Sequence, residues 1–136
     1  MAEGPRRIRQ ALDEALGFTL LRQTEGSAVA ELPLTGLAVN SLGQAHGGAL
    51  VSVADALMAN LVGPPLDQEG VQQAVTVDIH AHFLRAARGE RLRLEAELLQ
   101  AGRRIAFCAC RVYDGEGRLA AHITGSYALR GGGAGR

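Results

Sequence analysis

The sequence predicts an α+β domain in which an antiparallel sheet wraps around one central, apolar helix. Three observations carry that expectation. Within "NSLGQAHGGALVSVADALMANLVG", Asn40 to Gly63, the run from Ala49 to Val62 has only Ser52, Asp55 and Asn60 as polar residues. Past the proline pair of "GPPLDQEG" the apolar spacing changes from a helical period to alternation, which marks strands. A helix that is apolar all round needs cover on every side, whereas alternating strands offer one apolar face. A curved sheet folded around the helix meets both demands.

The elements follow in order. Residues 6–16, "RRIRQALDEAL", place Ile8, Leu12, Ala15 and Leu16 on one helical face, and Gly17 suits the helix end. "FTLLRQTEGSAVAELPL" reads as two short strands around a "TEGS" hairpin turn. From Thr35 to Ala45 the chain is a Gly- and Asn-punctuated loop, and the apolar helix follows. "QAVTVDIHAHFL" alternates, with Val75, Val77, Ile79, Ala81 and Phe83 on one face and Thr76, Asp78, His80 and His82 on the other. "ERLRLEAELL" alternates as well, and "RIAFCACRVYD" and "RLAAHITGSYAL" form two more strands joined by a "DGEG" turn. The expectation is one domain over residues 1–136, with a disordered tail from about 130 to 136.

The composition excludes several classes. Lys plus Arg and Asp plus Glu both number 14, so the net charge is zero and the basic excess of a nucleic-acid binder is missing. Cys108 and Cys110 lie two apart in an apolar run, where a mutual disulfide is geometrically awkward, and read as reduced core residues. The polar start "MAEGPRRIRQ" lacks a signal-peptide core, and the apolar helix is too short to span a bilayer. A soluble, cytoplasmic protein is expected. His80 and His82 share a strand face, but no third ligand accompanies them, so no metal site is expected.

Asp55 is the residue that calls for an explanation. An unpaired carboxylate inside an apolar helix is costly, so it either caps a neighbouring segment or does chemistry. Just upstream, His46, Gly47 and Gly48 begin the helix, although glycines weaken it. Glycine admits a ligand close to the backbone, and the first-turn N–H groups carry partial positive charge, as an oxyanion hole requires. His46 and Asp55 are nine residues apart, or roughly 13 Å along a helix. That is too far for both ends of one helix to act on one carbonyl, so an enzyme of this design must be a dimer with antiparallel helices.

The pattern of Asn40, then "HGG" beginning at His46, then Asp55 resembles the signature of hotdog-fold acyl-CoA thioesterases. The branch it resembles holds the 4-hydroxybenzoyl-CoA and phenylacetate-pathway enzymes. The order of elements is similar over roughly residues 12–130, and "VTVDIHAHFLRAARGERL" is similar to the strand and turn that follow the helix in that family. The resemblance implies hydrolysis of an aryl-, arylacetyl- or medium-chain acyl-CoA to acid and free coenzyme A, in a homodimer or dimer of dimers. It implies that Gly47 donates its N–H to the thioester oxygen and His46 shapes that position. Asp55 of the other subunit would be nucleophile or general base, Asn40 would position water or substrate, and Thr76 would hold the lytic water. Arg85, Arg88, Arg103 and Arg104 are candidates for the coenzyme phosphates, and no cofactor is implied beyond the coenzyme A of the substrate. No G-x-S-x-G elbow is present; "GSY" at 125–127 sits in a strand pattern. The competing expectation is a non-catalytic acyl-CoA-binding sensor, which would have no need of Asp55.

Overall fold

A computed structural model describes residues 10–62 and 73–130. The N-terminal part of the first expected helix, the "GPPLDQEG" break and the glycine tail lie outside those residues. The chain runs α1 (Ala11–Leu16), β1 (Thr19–Gln23), β2 (Ser27–Pro33), a single 3-10 turn (Gly36–Ala38), α2 (Gly47–Val62), β3 (Gln73–Phe83), β4 (Arg91–Ala101), β5 (Ile105–Tyr113) and β6 (Leu119–Arg130). Among the described residues the strands form one sheet in the order β1-β2-β4-β5-β6-β3, with every pairing antiparallel. The chain leaves β2, passes through α2, and returns as β3 on the far edge of the sheet.

Alternation builds the face on which α2 lies. Ala28, Ala30 and Leu32 of β2, Leu92, Leu94 and Ala96 of β4, Cys108, Cys110 and Val112 of β5, and Ala121 and Ile123 of β6 are all buried. Against them α2 buries Ala49, Leu50, Val53, Ala54, Leu57, Met58 and Leu61. Each large aliphatic side chain removed from water contributes roughly 1.5–3 kcal/mol. The alanines let helix and sheet approach closely. The opposite side of α2, including Asp55, is only half-buried by this chain. In α1 the buried residues are Asp13 and Leu16, while Leu12 is 52% exposed, so among the described residues Leu16 alone of the expected apolar stripe docks. Asn60 at the end of α2 bonds the side chain of Gln23 on β1.

Strand β3 departs from the alternation in its sequence. Thr76 pairs with Tyr127 and Asp78 with Ser126, so Val77 is an inserted, bulged residue. A one-residue insertion flips the faces on either side of it. Thr76 therefore shares the helix-facing side with Ile79 and Ala81, while Val75 and Val77 are 40% and 57% exposed. As an edge strand of 11 residues, β3 also presents unpaired backbone groups along its outer side.

At one end of the sheet the β3–β4 connection meets the β5–β6 turn. Gly89 has a φ of +122°, and a Cβ there would lie 2.7 Å from the Gly115 Cα. Gly89→Ala is expected to lower stability by about 2 kcal/mol or more, read from the urea midpoint at unchanged slope. The two thiols are free and buried, and burial pushes Cys108 up to about 11 and Cys110 up to about 12. Both should resist a thiol-reactive disulfide reagent at mildly alkaline pH in the folded protein and react once it is unfolded.

Candidate active site

The start of α2 is fixed by the loop before it. The Asn40 Oδ1 accepts the backbone N–H groups of Leu42 at 2.9 Å and Gln44 at 3.1 Å. That turn leads into two further ties: Ala45 N–H donates to Ala87 O and His46 N–H to Ala38 O. His46 then caps the helix. Its Nδ1 accepts the Gly48 N–H at 3.0 Å, and its carbonyl accepts from Ala49 and Leu50. A Cβ on Gly48 would stand 3.0 Å from the His46 ring, which accounts for that glycine. A Cβ on Gly47 would stand 3.2 Å from the Phe83 ring, so Phe83 lies over the first residue of the helix. Among the described residues the Gly47 N–H has no hydrogen-bond partner. It is the open donor of a positively polarised helix terminus.

Two helical turns on, the Asp55 carboxylate is met by two hydroxyls. Thr76 Oγ1 donates to Asp55 Oδ1 at 2.9 Å from β3, and the Tyr127 phenol donates to the same oxygen at 2.9 Å from β6. The bulge at Val77 brings Thr76 to this side. Gly125 does the same for Tyr127. A Cβ there would lie 3.1 Å from the Tyr127 hydroxyl and 3.2 Å from Met58 Cε, so a side chain would crowd the ring and glycine leaves it room. Tyr127 is fully buried. Burial, and after it the Asp55 charge, push its phenol well above the usual range, so it remains a donor at any working pH.

Of the residues singled out in the sequence, Asp55 and Thr76 are in contact and His46 and Gly47 adjoin at the helix terminus. Asp55 follows Gly47 by eight residues, roughly 12 Å along α2, so the two stations are separate within one chain. Asn40 organises the loop by its Oδ1, and Asp55 is bonded by Thr76 and Tyr127 rather than by Asn40. Arg85 donates from Nε to Leu119 O just past the end of β3, whereas Arg103 and Arg104 are exposed in the β4–β5 turn, whose Arg104 carbonyl bonds Leu129. Because β6 is antiparallel to β3, these arginines lie at opposite ends of the strands and form no cluster within a chain. His82 stands directly across from His122. Still, no group of three or more His, Cys, Asp or Glu among the described residues is placed to hold a metal.

Sequence reading passed over Tyr127. The available signal was a tyrosine on the buried face of an apolar strand, which must find a polar partner, with a glycine two residues earlier to admit it.

A helix terminus with a free N–H and a carboxylate on the same helix thus lie under one antiparallel sheet. Residues 42–121 match the model of the family described as the thioesterase superfamily. A Deinococcus radiodurans protein with a provisional esterase name is 36% identical over 119 residues, covering 86% of this chain and 77% of that protein. Among solved structures, a thioesterase family protein from Silicibacter pomeroyi superposes with a TM-score of 0.81 at 23% identity, covering 90% and 91% of the two chains. A Haemophilus influenzae thioesterase superposes with a TM-score of 0.78 at 22% identity, covering 87% and 81%. The chain belongs to the thioesterase superfamily; its fold is the hotdog fold, and it is a thioester hydrolase.

The cap makes a test of the helix terminus. His46→Ala is expected to cost about 1 kcal/mol in chemical unfolding, and His46→Asn to restore most of it, since asparagine is also a good N-cap.

Proposed function

We propose that the substrate is an acyl-CoA with an aryl, arylacetyl or medium-chain acyl group, as for the 4-hydroxybenzoyl-CoA and phenylacetate-pathway thioesterases, and that the protein works in the cytoplasm as a dimer or dimer of dimers. The observation that carries this reading is where β3 places the two stations. Gly47 lies beside Phe83 at one end of the strand, and Asp55 bonds Thr76 near the other. Pairing the open β3 edge with that of a second copy about a two-fold axis runs the strands antiparallel. One protomer's Gly47 then faces its partner's Asp55. The same operation brings Arg85 of one chain to the end of the sheet where the partner carries Arg103 and Arg104, a combined cation site for coenzyme phosphates.

The chemistry then runs between chains. The thioester carbonyl accepts the Gly47 N–H, and Phe83 offers the acyl group an apolar wall. As general base, Asp55 takes a proton from water, and the resulting hydroxide bonds to the thioester carbon. The oxyanion forms at the helix terminus and collapses, expelling the coenzyme A thiolate, which takes the proton back from Asp55. As nucleophile, Asp55 would instead attack the thioester carbon and expel the coenzyme A thiolate, giving an acyl anhydride. Water opens it to the free acid and the Asp55 carboxylate, with the released proton going to the thiolate. In either route the Thr76 hydroxyl donates its hydrogen bond to Asp55 and offers a water only its lone pairs. Asn40 keeps Gly47 in place by holding the loop and closes the site's edge.

The test is thiol release from phenylacetyl-, 4-hydroxybenzoyl-, hexanoyl- and acetyl-CoA by the parent and by Asp55→Asn. Turnover of at least one of the first three, lost by about 100-fold or more in the folded variant, is the expected result. A variant as fast as the parent would sink the role of Asp55. Tight binding of acyl-CoA without turnover would favour the sensor.

A further inference from the structure

Both donors that reach Asp55 go to one oxygen. A carboxylate oxygen has two lone-pair directions, and on Oδ1 the Thr76 and Tyr127 hydroxyls take both. Oδ2 has no partner among the described residues. The two donors differ in kind. Thr76 is exposed in the single chain and lies next to the bulge of β3, with no packing around it comparable to that of a core residue. Tyr127 is held from every side. It is fully buried, its ring lies over Gly125, and Met58 of α2 closes in at the same point. Its β6 backbone is paired on both sides, to Thr76 of β3 and Ala106 of β5. A tyrosine also has few rotatable bonds, so little freedom is lost in fixing its hydroxyl.

We propose that Tyr127 is a positioning residue for the hydrolysis: its hydroxyl anchors Asp55 Oδ1 in the core, so that the carboxylate presents Oδ2 alone to the water or thioester. This rests on the reading that Asp55 reacts. Asp55 sits on a half-buried face of α2 and would otherwise be free to turn about its side-chain torsions. Two filled lone pairs on one oxygen remove that freedom and leave a single reactive atom at a defined place, which proximity effects require. Gly125 belongs to the same device, because a Cβ there would crowd the ring and the hydroxyl at 3.1 Å.

The experiment is a double-mutant cycle in the full-length protein with the acyl-CoA the parent hydrolyses best. Tyr127→Phe keeps the ring and removes only the hydroxyl. The expected result is a kcat lower by roughly 10-fold or more with KM within about twofold, the range for one hydrogen bond to a charged group. In the Asp55→Asn background the same substitution should change kcat by less than about twofold, because Tyr127 acts through Asp55. A Tyr127→Phe variant with the parent's kcat overturns the proposal, and so does an equal loss in both backgrounds. Neither pattern touches the role of Asp55, which stands or falls with Asp55→Asn alone. If Tyr127→Phe does not fold, the parent and Asp55→Asn carry the test by proton NMR. A slowly exchanging downfield hydroxyl resonance of Tyr127 in the parent, shifted in Asp55→Asn, supports the anchor; its absence overturns it.

Discussion

A helix that must be buried can keep a carboxylate only where hydrogen-bond donors come to meet it, and much of the molecule is arranged to bring two hydroxyls to Asp55. Desolvating that group without partners would be among the most expensive single events in the fold. The solution draws on the last two strands at the far side of the sheet, the edge strand β3 and its neighbour β6. β3 inserts a residue at Val77 so that Thr76 turns inward. β6 gives up a side chain at Gly125 so that Tyr127 can cross the space and reach the same oxygen. Neither feature improves the sheet as a sheet. A bulge leaves a residue unpaired, and a strand glycine forgoes packing. Both are explained once the carboxylate is taken as the fixed requirement.

The fold was legible because its signals are periodic. The helix from Gly47 to Val62, the hairpin of β1 and β2, and the alternating β4, β5 and β6 all follow from where apolar residues recur. The close of α1 at Gly17, with its φ of +79°, follows from glycine's access to left-handed backbone. The failures were aperiodic. One inserted residue in β3 inverts the facing of all that precedes it, and nothing in "QAVTVDIH" marks Val77 as the insertion. Leu12 fits the apolar period of its helix and is nonetheless 52% exposed.

The site divided in the same way. The helix terminus could be read from consecutive residues, because a cap and its glycines are local. Asp55 could be read as an anomaly against its own helix. Its partners could not, since Tyr127 is 72 residues away and Thr76 is 21. Contacts at that separation depend on the register of three strands, which sequence spacing does not specify. Phe83 over Gly47 is a third such case.

On the proposed reading the topology also bears on why the site would call for a second chain. Within one protomer the donor at Gly47 and the carboxylate at Asp55 are fixed to a single rigid rod, and no side-chain adjustment closes roughly 12 Å. A flexible link would bring them together at the expense of the preorganisation that makes a helix terminus useful to a developing oxyanion. Keeping both on the rod and duplicating the rod avoids that conflict. The strand that runs beside the two stations is β3, which is also the open edge of the sheet. On the proposed reading, one operation covers the exposed backbone of that edge, shelters Val75 and Val77, and completes two sites. On that reading, an edge that would otherwise invite non-specific association would become the means of assembling the reactive groups. The rigidity that separates Gly47 from Asp55 in one chain then fixes their approach across two.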